Sequence, residues 1–277
     1  MDDQQTQNPQ TRRIAIGLAS ALVLVAAAWW YWHRPTQEPA AAAAPTSSAA
    51  TLAEPAAGIR YPLAEAAAAA AGATPAPAPS DPDAAVEAAL SALFGGQELA
   101  GWLIPDKLAR RLVATTDNLS RNARLEPTRP LRAPAGPFAV QREAIDTTIG
   151  SERITMSAQN AARYDAAVSL LSKTDMKQAA TVYRRIYPTL QQAYEDLGYP
   201  DRYFNDRVVD TIDHLLATPE PAGPLLLEQP KVLYRFADPD LEARSSGQKL
   251  LLRMGVAHAR EVKQKLREFR DQVSSKE

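Results

Sequence analysis

The residues with the most chemistry in this chain are Asp206, Asp210, Asp213 and His214. Spacings of four and three place the three carboxylates on one helix face. Carboxylates so arranged are oxygen donors for a cation, but a metal site needs further ligands from other elements. The chain has neither an Asp/Gly calcium loop nor a paired-His motif, and Arg202 and Arg207 lie beside the acids. A solvated helix face is therefore expected, with no metal and no cofactor. Nucleophilic catalysis needs a Ser or Thr beside a base. The three histidines stand at 33, 214 and 258, and neither His214 nor His258 adjoins a nucleophile elbow or a Ser-x-x-Lys pattern. No catalytic residue is assigned. A hydrolase acting on cell-wall or lipid substrates, with Asp206, Asp210 and His214 as its suspects, is the alternative reading. Cysteine is absent, which removes thiol nucleophiles, disulfides and Cys-ligated metal sites.

A second constellation is aromatic. Tyr183, Tyr187 and Tyr194 fall on one face of a long helical pattern, and Tyr199, Tyr203 and Phe204 follow across a turn. Core packing accounts for most of them, yet phenolic edges next to Asn205, Asp206 and Arg207 can line a cleft for a peptide or other ligand. The candidate binding residues are Tyr187, Tyr194, Tyr199, Tyr203, Asn205, Asp206 and Arg207. A basic group, Arg121, Arg124, Arg129 and Arg132, lies at a helix end and in the proline-rich loop after it, where lipid headgroups or anionic glycans could meet it.

The elements that must position these residues are mostly helical. Asp81 or Asp83 caps a helix carrying Val86, Leu90, Leu93 and Phe94, and Gly95-Gly96 ends it. A second helix starts after Pro105 with Asp106 as its cap. Phe138–Ser157 alternates like a small hairpin. Asn160 or Ala161 opens a helix through Leu171. Met176–Leu197 has a strong 3.6-residue period, with Pro188 expected to bend or break it near Arg184 to Tyr187. Asp201 begins the next helix. Residues 225–227 and 232–236 form short strands or an extended arm. Positions 252, 255, 259, 262, 266, 269 and 273 form a packing seam, through which self-association is possible.

Ahead of these elements the composition changes twice. Ile14 to Trp32 carries no charge and ends in Trp29, Trp30, Tyr31 and Trp32. At 1.5 Å per residue such a helix spans roughly the 30 Å core of a bilayer, and its aromatics suit the interface. Arg12 and Arg13 precede it and Arg34 follows, favouring a cytoplasmic N-terminus, residues 1–13. Cleavage as a signal peptide after Ala26 to Ala28 is the competing reading. Residues 35–80 include 20 Ala and 8 Pro. That stretch predicts a disordered linker, because it cannot bury enough surface to offset its ordering entropy. Residues 81–277 are then an α-rich domain with a few short strands, facing the periplasm. Lys+Arg number 31 against 32 Asp+Glu, so no nucleic-acid partner is expected.

Several strings carry a resemblance: Asp117-Asn118-Leu119, Arg163-Tyr164, Tyr187-Pro188, Leu197-Gly198-Tyr199-Pro200, Tyr203-Phe204-Asn205-Asp206-Arg207, Phe236-Ala237-Asp238-Pro239 and the run from Gly247 to Gly255. With them the chain resembles a bacterial family catalogued as domain of unknown function 3014. The resemblance implies a membrane-anchored envelope protein and supplies no activity, substrate or catalytic residue. The expected function is a non-enzymatic binding or scaffold module of the bacterial cell envelope. Its anchor would be in the inner membrane, and its partner an envelope protein, peptidoglycan or lipid.

Overall fold

A computed structural model describes residues 58–63, 81–134, 136–146 and 151–275. They form a mainly helical domain with one small antiparallel sheet. Among them no helix is long and apolar enough to cross a membrane, and Ile14 to Trp32 lies outside them.

The chain order is α1 (Pro82–Phe94), α2 (Gly96–Ala100), α3 (Leu108–Leu119), β1 (Val140–Asp146), β2 (Ser151–Met156), α4 (Gln159–Ala162), α5 (Asp165–Lys173), α6 (Met176–Asp196) and α7 (Phe204–Leu216). After these come β3 (Leu226–Glu228), β4 (Arg235–Phe236), α8 (Pro239–Glu242), α9 (Ser246–Met254) and α10 (Val256–Ser274). The main core joins α1, α3, α6, α7 and α10 around Val86, Leu108, Val113, Ile186, Leu190, Phe204, Val209 and Val273. Beside it an apolar pocket of about 310 Å³, partly open to solvent, lies between Leu90, Leu112, Val182, Val208 and Leu266.

Caps explain where several helices begin, and one expected cap is displaced. Asp81 starts α1, its carboxylate accepting from the N–H groups of Asp83 and Ala84. Asp106 does not cap α3. Lys107, at φ 52°, holds the N-cap position, and Asp106 pairs with Arg111. The Ala109 N–H is instead received by Asp83 from α1 at 2.9 Å, so a carboxylate from a neighbouring helix satisfies a donor left over at this terminus. Asp175 and Ser245 cap α6 and α9 from their own chain positions. The helix expected at Asp201 begins at Phe204, with Tyr203 as N-cap.

Pro188 does not break α6, which runs unbroken for 21 residues. It sits on the exposed face, where solvent is at hand for the carbonyl it leaves unpaired, while Tyr183, Ile186, Tyr187, Leu190 and Tyr194 bury the opposite face. The helix expected from Asn160 divides into α4 and α5 at Arg163-Tyr164.

The hairpin β1–β2 is antiparallel, with Val140 opposite Met156. The short runs after Pro224 add to it rather than lying on the helices: Leu227 pairs with Ile154 on one side and with Phe236 on the other, giving the order β1-β2-β3-β4. Leu225, Leu227, Phe236 and Leu252 form a second apolar cluster beneath this sheet.

The C-terminal seam is split. Gly255, at φ 83°, ends α9 and starts α10, a backbone state that costs glycine little and other residues more. Leu252 then packs under the sheet, whereas Ala259, Leu266, Phe269 and Val273 pack against α5, α6 and α7 of the same chain. One charged group is drawn into this packing. The Lys263 ammonium is buried, donating to the Thr218 carbonyl and to Glu220, while Arg260 and Lys263 hold the Glu220 carboxyl down at about 2.

Candidate functional site

The composition of residues 35–80 predicts no ordered element, yet Gly58–Leu63 lies docked on the start of α7. Its main chain is read by side chains. One oxygen of Asp206 accepts the Arg60 N–H at 3.1 Å and the other accepts the Tyr61 N–H at 2.8 Å. The Tyr203 hydroxyl accepts the Leu63 N–H at 3.0 Å, and Asn205 Nδ2 donates to the Tyr61 carbonyl at 2.9 Å. Pro62 has no N–H to leave unpaired between them. Two side chains fix the register. The Arg60 guanidinium reaches Asp210 at 2.5 Å, which raises its already high pKa, and Leu63 inserts into the main core with 3% of its surface exposed. Tyr61 packs partly buried on the same core.

Behind this face stands a buried polar frame. Asn205 is fully buried; its Oδ1 accepts from Tyr183 and its Nδ2 also donates to the Val273 carbonyl near the end of α10. The Tyr187 hydroxyl accepts the Asn205 N–H and donates to Gln191, which accepts the Phe204 N–H and donates to the Arg202 carbonyl. Burial pushes the Tyr183 and Tyr187 phenols up, so both remain neutral donors at any physiological pH. The first turn of α7 is thereby tied to α6 and α10. The Asp206 carboxylate sits in that turn, beside the helix N-terminus, where a negative charge is favoured.

Of the seven candidate binding residues, Tyr203, Asn205 and Asp206 touch the docked segment and Tyr187 supports them. Tyr194, Tyr199 and Arg207 belong to a different cluster. Arg207 Nε donates to the buried Asp117 at 2.8 Å and its other nitrogen to the Asp117 carbonyl and to Ser120. Tyr199 stacks on Tyr194 with centroids 4.6 Å apart and donates to Asp117, which also takes Arg121. Burial, then the nearby Asp117 carboxylate, pushes the Tyr194 phenol up to about 12. These three residues join α3 to α6 and α7 and do not face the docked segment.

The acids and histidine of α7 do not converge. Asp206 and Asp210 hold Arg60, Asp213 forms a two-point pair with Arg270, and His214 faces a separate polar cleft with Ser120, Asn122, Asp240, Arg244, Ser245 and Gln248. His214 Nε2 lies 2.9 Å from Ser245 Oγ, but that oxygen is buried and caps α9 by accepting the Gln248 N–H. Burial, then Arg207 and Arg244, lower the His214 pKa. Among the described residues no group of three His, Asp or Glu is placed to hold a metal ion.

The model of a family described as "Protein of unknown function (DUF3014)" matches residues 108–270. The chain belongs to the DUF3014 family. Comparison with curated proteins and with solved structures finds no match. The groove residues that bond to the docked segment, Tyr203, Asn205, Asp206 and Asp210, and Tyr187 behind them lie in the DUF3014 region, whereas the docked Gly58–Leu63 lies outside it. Sequence reasoning missed this occupant. Its signal is that Arg60 and Tyr61 are the sole basic and the sole aromatic residue within 35–80.

Proposed function

We propose that this DUF3014 domain is a non-enzymatic peptide-docking module, held at the periplasmic face of the inner membrane by residues 14–32. The observation that carries the docking is the recognition of four main-chain groups of Gly58–Leu63 by Asp206, Asn205 and Tyr203. Side chains that read neighbouring main-chain N–H and C=O groups suit a peptide better than a glycan or a lipid. The membrane part rests on the apolar length and aromatic end of Ile14 to Trp32.

Trypsin tests the docking, because the Arg60–Tyr61 bond lies inside the docked segment. In the full chain, Asp206→Ala removes the acceptor of two N–H groups and part of the Arg60 attraction, and cleavage after Arg60 should quicken by ~10-fold or more. Equal cleavage rates in the two chains, with the same circular dichroism, would sink the reading. For the anchor, an alkaline phosphatase fused after Glu277 should be active in bacteria. An inactive fusion would place the domain in the cytoplasm.

A further inference from the structure

We infer that the docked Gly58–Leu63 is an exchangeable resident ligand, and that the groove's partner in trans is a protein segment in which a basic residue precedes an aromatic–proline–aliphatic run. This rests on the peptide-docking reading above.

The recognition chemistry is general enough for exchange. The contacts of Asp206, Asn205 and Tyr203 go to main-chain atoms that any peptide able to follow the bend at Arg60 and Tyr61 presents. Selection comes from three points: the Asp206/Asp210 pair for a cation, the partly buried Tyr61 position, and the pocket filled by Leu63. A proline between the last two fixes one backbone angle of the unbound peptide, so less freedom is lost on binding.

The resident is also held in a way that permits release. The Arg60–Asp210 pair is about half exposed on both sides, which makes it weak and salt-sensitive. Ile59 is 56% exposed and contributes little burial. Covalent connection through residues 64–80 supplies what the contacts lack, since a short tether raises the local concentration of the segment to the order of millimolar. An incoming segment therefore meets an occupied groove and must outcompete the resident. In these terms the resident gates the site.

The probe is a fluorescein-labelled synthetic peptide, Ala-Gly-Ile-Arg-Tyr-Pro-Leu-Ala, titrated by anisotropy into the full chain in detergent. Loosening the resident with Arg60→Ala plus Leu63→Ala should tighten probe binding ~10-fold or more over the native chain, in the sense that an occupied groove has a reduced competent fraction. Arg60→Ala alone, at an exposed position, should tighten it by a smaller factor and guards against misfolding of the double variant. Adding Asp206→Ala to the double variant should abolish binding.

Equal affinity for the native and loosened chains would overturn gating while leaving the docking reading intact. No binding to the loosened, folded chains would make the segment a fixed structural latch and overturn exchange. A native dimer that dissociates in the double variant would show that a second copy supplies the occupant, and would also overturn the proposal. Failure of the trypsin test, by contrast, removes the docking reading itself.

Discussion

Gly247→Ala should lower the stability of the domain by about 2–3 kcal/mol, a large effect for one methyl group. A Cβ at Gly247 would lie 2.6 Å from Leu215 Cδ2 and 2.7 Å from the Leu119 carbonyl oxygen. The leucine methyl can swing aside, but the carbonyl is backbone at the end of α3 and moves only with the helix. Overpacking of this kind costs roughly 1–3 kcal/mol, and here the rigid neighbour puts it at the upper end. For a domain of this size the melting temperature should fall by roughly 5–10 °C. Gly223→Ala is the control, because a Cβ there meets nothing within 4 Å. If the Gly247 variant melts with the native chain and the control, α3 and α9 do not approach as closely as described.

Asp117→Ala should cost still more, about 3–5 kcal/mol. Asp117 is 5% exposed and accepts from Arg207, Arg121 and Tyr199, so the substitution leaves the half-buried Arg207 guanidinium without its carboxylate. Arg207 keeps bonds to the residue-117 carbonyl and to Ser120, which limits but does not cancel the loss. A double-mutant cycle with Arg207→Ala measures the coupling directly. Denaturant midpoints that add with no interaction term would show that the two charges do not depend on one another. Neither substitution touches the groove, so peptide docking should weaken only as the fold itself is lost.

The helices were largely legible because their apolar spacing and caps are local properties: Asp81, Asp175 and the period of α6 can each be read from a short window. What escaped depended on distant partners. The capping of Ala109 by Asp83, the joining of β3 to the hairpin, and the break at Gly255 within an apparently continuous seam are all set by tertiary neighbours. The candidate site divided in the same way. Tyr, Asn and Asp near position 205 were recognisable as groups able to bind, but periodicity could not separate Tyr203 from Tyr199, which bonds to a buried carboxylate on α3, and Tyr194, which stacks on Tyr199. The docked segment was hidden by averaging: six informative residues were diluted by the alanines and prolines around them.

The docked segment and α1 are separated in sequence by residues 64–80. A closed loop tolerates change in its length well, as doubling it adds only about 0.6 kcal/mol of closure entropy. Insertions and deletions between Leu63 and Asp81 should thus accumulate in this chain's lineage almost unopposed, while Arg60, Leu63 and the acids that meet them change only together. Evolutionary drift would then leave its record as a connection of shifting length between two pinned ends.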